Sequence, residues 1–267
     1  MKVEYSENKS DTTKRKRKRK SRIKRIVAAV ISIVTVILIA VILMLTVFFN
    51  VKSIKVVGSS IYTQEEIIVA SGIMNGDNLL RMPKAEIKAR IESALPYIKS
   101  AEIKLSFPET VGIKVTPAEE ALVLKADNIN YVLDADYKVL RTTQEIPENM
   151  LTVKGIKASE LKCGSVLTFE DKQQKKALSD IIALCEEKKL SVGYIDIKSL
   201  IGISFTVDNR LYVKIGSYND LAGKINHLVA MMKSIDKSAN ASISLEDWSL
   251  NNKKAVLKYE NINELIK

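Results

Sequence analysis

Histidine is almost missing from this chain of 267 residues, where His227 stands alone. Cysteine is nearly as scarce, with only Cys163 and Cys185, and Trp248 is the single tryptophan. These shortages exclude chemistry. There is no His-Glu-x-x-His, no Cys-x-x-Cys, no Gly-x-Ser-x-Gly and no Gly-rich phosphate loop. His227 falls off the apolar stripe of its predicted helix and reads as a surface residue, not a base or ligand. Carboxylates are scattered among lysines at the spacing of solvated faces. Two acids far apart in sequence would leave no signature of their own, yet nothing here points to such a pair. The expectation is a protein with no catalytic residue, no metal and no cofactor.

What the chain has instead is one long apolar run. Ile26 to Phe49 is 24 residues without a charge, proline or glycine, interrupted only by Ser32, Thr35 and Thr46. As a helix it would measure about 36 Å, against a hydrocarbon core of roughly 30 Å. A cleaved secretory signal would have a shorter apolar region and a small-residue cleavage site. This run has neither, so it reads as an uncleaved anchor.

The charges on its two sides set its direction. Ten cations stand in the twelve residues just before it: Lys14, Arg15, Lys16, Arg17, Lys18, Arg19, Lys20, Arg22, Lys24 and Arg25. Beyond Phe49 the first cations are Lys52 and Lys55, sparse and single, so residues 1–25 are expected in the cytoplasm and the bulk outside. The tail holds 12 Lys/Arg against 3 acids, which leaves just +2 of the total +11 for everything else. The basic block could also attract nucleic acid, but no aromatic or amide side chains interleave to read or stack on bases. Next to a span, it reads as a topology signal that faces anionic lipid headgroups. No hydrophobic period runs through residues 1–25, and a disordered tail is expected.

Past the span, Val51–Val57 reads as a strand ending at Gly58. Thr63-Gln64-Glu65-Glu66 is a capping box for a helix that stops near Gly72. Pro83 opens a second helix, with Ile87, Ile91 and Leu95 on one face, and Pro96 closes it. Ala101, Ile103, Leu105 and Phe107 alternate as a strand, Pro108-Glu109-Thr110 turns, and Val111, Ile113 and Val115 alternate back. The order is strand–helix–helix–strand–strand, a compact α+β unit.

This layout resembles a POTRA domain, and the sequence around it is similar to the FtsQ/DivIB family of bacterial cell-division proteins. The residues that carry the likeness are Ile54-Lys55-Val56-Val57-Gly58, Thr63-x-Glu65-Glu66-Ile67 and Gly76-Asp77-Asn78-Leu79. They continue with Leu95-Pro96-Tyr97-Ile98-x-x-Ala101-Glu102-Ile103 and Phe107-Pro108-Glu109-Thr110-Val111-x-Ile113-x-Val115. Where the family usually carries a Glu-Arg-x-Pro-type stretch, this chain reads Thr116-Pro117-Ala118-Glu119-Glu120-Ala121. A hairpin follows around Asp127–Asn130. Then comes Asp134-Ala135-Asp136-Tyr137-Lys138-Val139, similar to a family hairpin but lacking its glycine. Asp171–Lys189 is an amphipathic helix with Leu178, Ile181, Ile182 and Cys185 inward. Ser217 and Asp220 look like the cap of another, whose face is Leu221, Ile225, Leu228, Met232 and Ile235. Strands at 195–197, 203–207, 211–216, 242–245 and 254–259 complete a mixed β-rich domain with packed helices.

The expected division is a basic tail 1–25, a transmembrane helix 26–49, a POTRA domain 50–118, a β domain 119–260 and a short C-terminal tail 261–267. The resemblance implies a non-catalytic divisome scaffold at the septum. It would bind small bitopic coiled-coil partners of the FtsB/DivIC and FtsL types and help control septal peptidoglycan synthesis. It also implies that the partner adds a strand to the last strand of the β domain. Here that means Lys254, Ala255, Val256, Leu257, Lys258 and Tyr259, with Trp248 at an aromatic position. Trp248 and Leu257 could equally close the core. The alternative function is a membrane-anchored envelope enzyme or ligand sensor with a pocket in the outer β domain. The two cysteines could pair if exported, although Cys185 on a buried stripe reads as a small hydrophobe.

Overall fold

The computed structural model describes residues 8–58 and 60–266. Its elements begin with one helix, α1 (Asn8–Val47), which contains the whole apolar run to Val47. Within it the hydroxyls of Thr35 and Thr46 donate to the carbonyls of Ile31 and Ile42 at 2.9 and 3.0 Å, which keeps them bonded without water. The expectation of a disordered tail fails over residues 8–25, which are helical. Lysine and arginine are good helix formers, and extending an existing helix needs no new nucleus. Residues 1–7 lie outside the described residues.

Next come β1 (Ser53–Val57), α2 (Gln64–Ser71), a 3-10 turn at Leu79–Arg81, α3 (Lys84–Ala94), β2 (Ile98–Ser106) and β3 (Thr110–Pro117). The three strands form one sheet in the order β1-β3-β2. Thr63 caps α2 as its pattern demands: its Oγ1 accepts from Glu66 N at 3.2 Å, and the Glu66 carboxylate accepts from Thr63 N at 2.7 Å. Gly72 ends α2 in the left-handed conformation, φ +65°. Ile87 and Ile91 are buried on α3, as are Val111, Ile113 and Val115 on β3. Phe107 lies in the turn and not in the strand; it is exposed.

The remainder contains β4 (Leu122–Ala126), β5 (Ile129–Leu133), β6 (Val139–Thr143), β7 (Leu151–Lys154) and the short pair β8 (Ala158–Ser159) and β9 (Thr168–Phe169). These lead to α4 (Lys172–Glu187), β10 (Val192–Asp196), β11 (Ile203–Val207), β12 (Leu211–Gly216), α5 (Leu221–Met232), β13 (Ala241–Ser244) and β14 (Val256–Tyr259). Nine strands make one sheet in the order β14-β13-β12-β11-β10-β7-β4-β5-β6. The β4–β5 hairpin turns through Asp127 and Asn128, both at positive φ, the two-residue geometry that matches strand twist. β7 and β10 are parallel, as are β12 and β13. Parallel neighbours need a crossover, and the chain supplies α4 for the first pair and α5 for the second. Both helices pack on the core, where Leu178, Ile181, Cys185, Ile225 and Leu228 are buried with Phe205, Val213 and Ile243.

By density of contact the chain divides into two units. One is drawn from Met1–Lys55, Ile73–Lys84 and Ile103–Ile113, the other from Val56–Gly72, Ala85–Glu102 and Lys114–Lys267.

Two local expectations need correction. Ser217 and Asp220 do not cap α5 by a side-chain bond: Asp220 holds the N-cap position at φ +54°, where its carboxylate bonds no helix amide. An N-cap side chain works from extended backbone. Ser217 instead accepts the ammonium of Lys224, through its carbonyl oxygen at 2.8 Å and its hydroxyl at 3.3 Å. His227 is not on the open surface but half-buried, its ring 6.1 Å from that of Trp248.

Candidate partner-binding edge

The last strand is built by a short return of the chain. After β13, Leu245 is buried and Trp248 turns inward. Ser249 and Asn252 then exchange backbone bonds at 2.8 and 3.1 Å, a tight reversal around Leu250 and Asn251. β14 comes back antiparallel to β13, with Ser244 opposite Val256, Ile243 opposite Leu257, Ser242 opposite Lys258 and Ala241 opposite Tyr259. In the sheet order β14 is terminal, so no described strand pairs with its outer side. A strand in that position presents free N–H and C=O groups along one side.

The alternation of a strand then sorts the side chains. Leu257 lies on the core side with Ala241 and Ile243 and is partly buried there. Val256 and Lys258 lie on the other face and are exposed, Val256 to 41 %, whereas Tyr259 shares the face of Leu257 opposite Ala241 but is 65 % exposed at the end of the strand. Ala255 is partly buried, and Lys254 is exposed. The Lys254 ammonium lies 3.7 Å from Asp247, a pair too solvated to hold the edge rigidly. Beyond the strand, the Glu260 carboxylate accepts from the Ser242 hydroxyl. Trp248 is not at the edge surface. It is buried against Gly223 of α5, where an added Cβ would come within 2.5 Å of the indole ring.

The basic block lies on the first half of α1. Arg22, Lys24 and Arg25 are exposed there, while the side chains of Lys14, Arg15, Lys16, Arg17, Lys18, Arg19 and Lys20 fall outside the described ones. Arg22–Val47 is the one helix among the described residues long and apolar enough to cross a membrane.

A groove of about 650 Å³ opens beside α4 and α5, lined in part by Asp180, Leu184, Tyr218, Asp220 and Leu221. Asp180 is held there by the Lys176 ammonium at 2.5 Å and by the Tyr218 hydroxyl. The lysine and then the tyrosine keep its carboxyl below the ordinary aspartate value. A carboxylate so paired is an ion-pair member and not a proton donor near neutrality. Among the described residues no group of three or more His, Cys, Asp and Glu side chains could hold a metal ion. Cys163 and Cys185 are both free thiols, the first exposed and the second buried.

The sequence pattern missed two buried lysines. Lys138 donates to the carbonyl oxygens of Glu92 and Ile98 at 2.6 and 2.7 Å. Lys224 donates to those of Ile215 and Ser217 at 2.9 and 2.8 Å. Burial lowers the pKa of both ammonium groups. Only Lys224 left a sign, since it sits on the Leu221–Ile225–Leu228 face of α5.

Fold and helix together define a class: a POTRA protein that carries, among the described residues, one helix long and apolar enough to cross a membrane. Residues 49–116 match the family model for the POTRA domain, FtsQ-type. The chain is 30% identical over 189 residues to the cell division protein DivIB of Clostridium botulinum, covering 70% of this chain and 73% of that protein. It is 24% identical over 204 residues to DivIB of Clostridium acetobutylicum, covering 74% and 81%. The cell division protein FtsQ of Streptomyces venezuelae matches at 28% over 105 residues, 39% of each chain. The chain belongs to the FtsQ/DivIB family of bacterial cell-division proteins.

Proposed function

We propose that this protein is a non-catalytic scaffold of the division machinery that holds bitopic coiled-coil partners of the FtsB/DivIC and FtsL types at the septum. Through them it helps control septal peptidoglycan synthesis. The observation that carries the reading is β14, the terminal strand of a nine-stranded sheet. A partner segment that adds a strand there gains main-chain bonds from the edge and side-chain selection from Val256, Lys258 and Tyr259. Lys253, Lys254 and Lys258 give the edge a cationic approach, which suits an acidic partner segment. The reading takes residues 1–25 as the cytoplasmic tail, 26–49 as the span, 50–118 and 119–260 as the two outer domains, and 261–267 as a short end.

The competing function, an envelope enzyme or ligand sensor, would use the groove beside α4 and α5. The Lys176–Asp180 pair argues against it as a catalytic cleft, because the acid is already neutralised by its own neighbour. Val256→Pro removes a donor from the β13–β14 ladder, since Glu260 N bonds Asn240 O and the same register turns Val256 N toward Ser244, and so it disturbs the edge strand itself. Co-purification of the partners should be lost in this variant and kept in Lys258→Ala, with both variants giving native circular dichroism. Full binding by a folded Val256→Pro would move the interface off this edge. A fluorescent fusion spread evenly around the cell, with no mid-cell band, would remove the septal role.

A further inference from the structure

α1 does not pass into β1 through a free linker. The carbonyl of Leu45 is one of the four that a helix end leaves without an internal partner, and it accepts from Asn78 Nδ2 at 3.0 Å. Phe49 O accepts from Leu79 N at 2.8 Å, and Asn50 bridges to Asn78. Val51 donates to Asp77 O at 2.8 Å and accepts from Gly76 N at 2.9 Å. Lys52 N donates to Glu109 O at 2.9 Å while its ammonium pairs with the Glu109 carboxylate at 2.6 Å. The Phe49 ring meets Phe107 edge-on at 5.7 Å. Two loops, 76–81 and 107–109, are thus gathered around the C-terminal end of the span.

Their depth follows from the length of the helix. Ile26 to Val47 rises about 33 Å, against roughly 30 Å of hydrocarbon. The end of α1 therefore lies near the headgroup boundary, and Leu45 is about 3 Å beneath that end. At this level Phe48 is 64 %, Leu80 49 % and Phe107 57 % exposed. Arg81 is exposed beside Leu80. In water three large apolar side chains grouped around one helix end would be costly. A headgroup layer accepts apolar side chains and lets a cation reach phosphate.

We propose that Phe48, Leu80 and Phe107 form a shelf seated in the headgroup region of the leaflet where α1 emerges, with Arg81 toward lipid phosphate. The proposal rests on α1 crossing the bilayer and extends the membrane contact from the helix to these loops.

The test uses the full chain carrying Cys163→Ser, so that the buried Cys185 is the only native thiol left. Phe107→Cys, Leu80→Cys and Met44→Cys are each labelled with the fluorophore NBD. Each is reconstituted into vesicles of phosphatidylethanolamine and phosphatidylglycerol that contain lipids with nitroxide on the headgroup or acyl chain. Native Trp248 emission confirms the fold of each labelled protein. The Met44 label should be quenched by acyl-chain nitroxide, which tests the span itself. The Phe107 and Leu80 labels should be quenched by headgroup nitroxide several-fold more than NBD on free cysteine in the same vesicles. Quenching at Met44 with none above the free dye at Phe107 and Leu80 would overturn the shelf and make the patch a protein-docking surface. No quenching at Met44 would overturn the span and the shelf with it.

Discussion

The ammonium of Lys138 sits 2.6 Å from the carbonyl oxygen of Glu92, in the last turn of α3. A cation at that end of a helix meets both an unbonded carbonyl and the negative end of the dipole. Asp134 fixes the approach by accepting from Lys138 N at 2.8 Å. Burial is nevertheless the larger influence and lowers the pKa of the ammonium, with Glu92 and Asp134 acting in the opposite direction.

The lowered value has a sign that can be checked. Below the folded pKa, Lys138 is charged in both states and costs a constant amount of stability. Between that value and the ordinary one of about 10.4, the unfolded chain binds more protons, so stability rises with pH. Lys138→Met removes this slope and leaves two carbonyls without their donor, each costing about 1–3 kcal/mol. Urea unfolding of residues 50–267 should show the variant a few kcal/mol less stable at neutral pH. The gap should widen toward pH 10; a gap that stays flat or narrows would contradict this account.

The contact between Gly223 and Trp248 makes a second case. In an open helix Gly→Ala gains roughly 1 kcal/mol. Here the new Cβ meets the indole at 2.5 Å, and overpacking typically costs about 1–3 kcal/mol. Gly223→Ala should therefore lower the urea midpoint. In a Trp248→Leu background the same change should raise it, because the obstruction has gone. A double-mutant cycle with no coupling would show that the ring yields freely.

The cysteines report on folding and sidedness together. Burial pushes the Cys185 thiol up to about 12, while Cys163 is exposed. A membrane-impermeant maleimide applied to intact cells, with the outer wall layers made permeable, should add one label per folded chain, at Cys163. Urea should release the second. Replacing Lys14–Lys20 with Gln leaves Arg22, Lys24 and Arg25 to hold a partial bias. A fraction of that variant should then lose outside labelling. Full protection of Cys163 in the native protein would reverse the proposed orientation.

Those parts of the fold whose physics is local were legible in the sequence. The Thr63–Glu66 box closes within three residues, and the Asp127-Asn128 turn needs only two residues that tolerate positive φ. The apolar run announces α1 by length alone. What stayed hidden depends on partners far along the chain. Lys138 finds carbonyls 46 and 40 residues away, and Asn78 reaches a helix end 33 residues back. Tyr137 falls where the family hairpin carries glycine and still adopts φ +65°. Its ring stacks edge-on with Phe169 at 5.0 Å, which gives the strained backbone a packing reward that glycine could not supply. The strand of the candidate site was legible over Val256–Tyr259, whereas Lys254 and Ala255, expected in it, precede it. The strand's terminal place was not, since that follows from how α5 carries the chain from β12 to β13.

The bonded passage from Leu45 to Lys52 has a mechanical consequence. With both main-chain faces of Val51 engaged and Asn78 locked on the helix end, α1 cannot spin about its own axis independently of residues 76–79. Any turn imposed on α1 by a neighbouring helix would be handed to these loops as an equal change of compass bearing. The join behaves as a keyed shaft and not as a swivel.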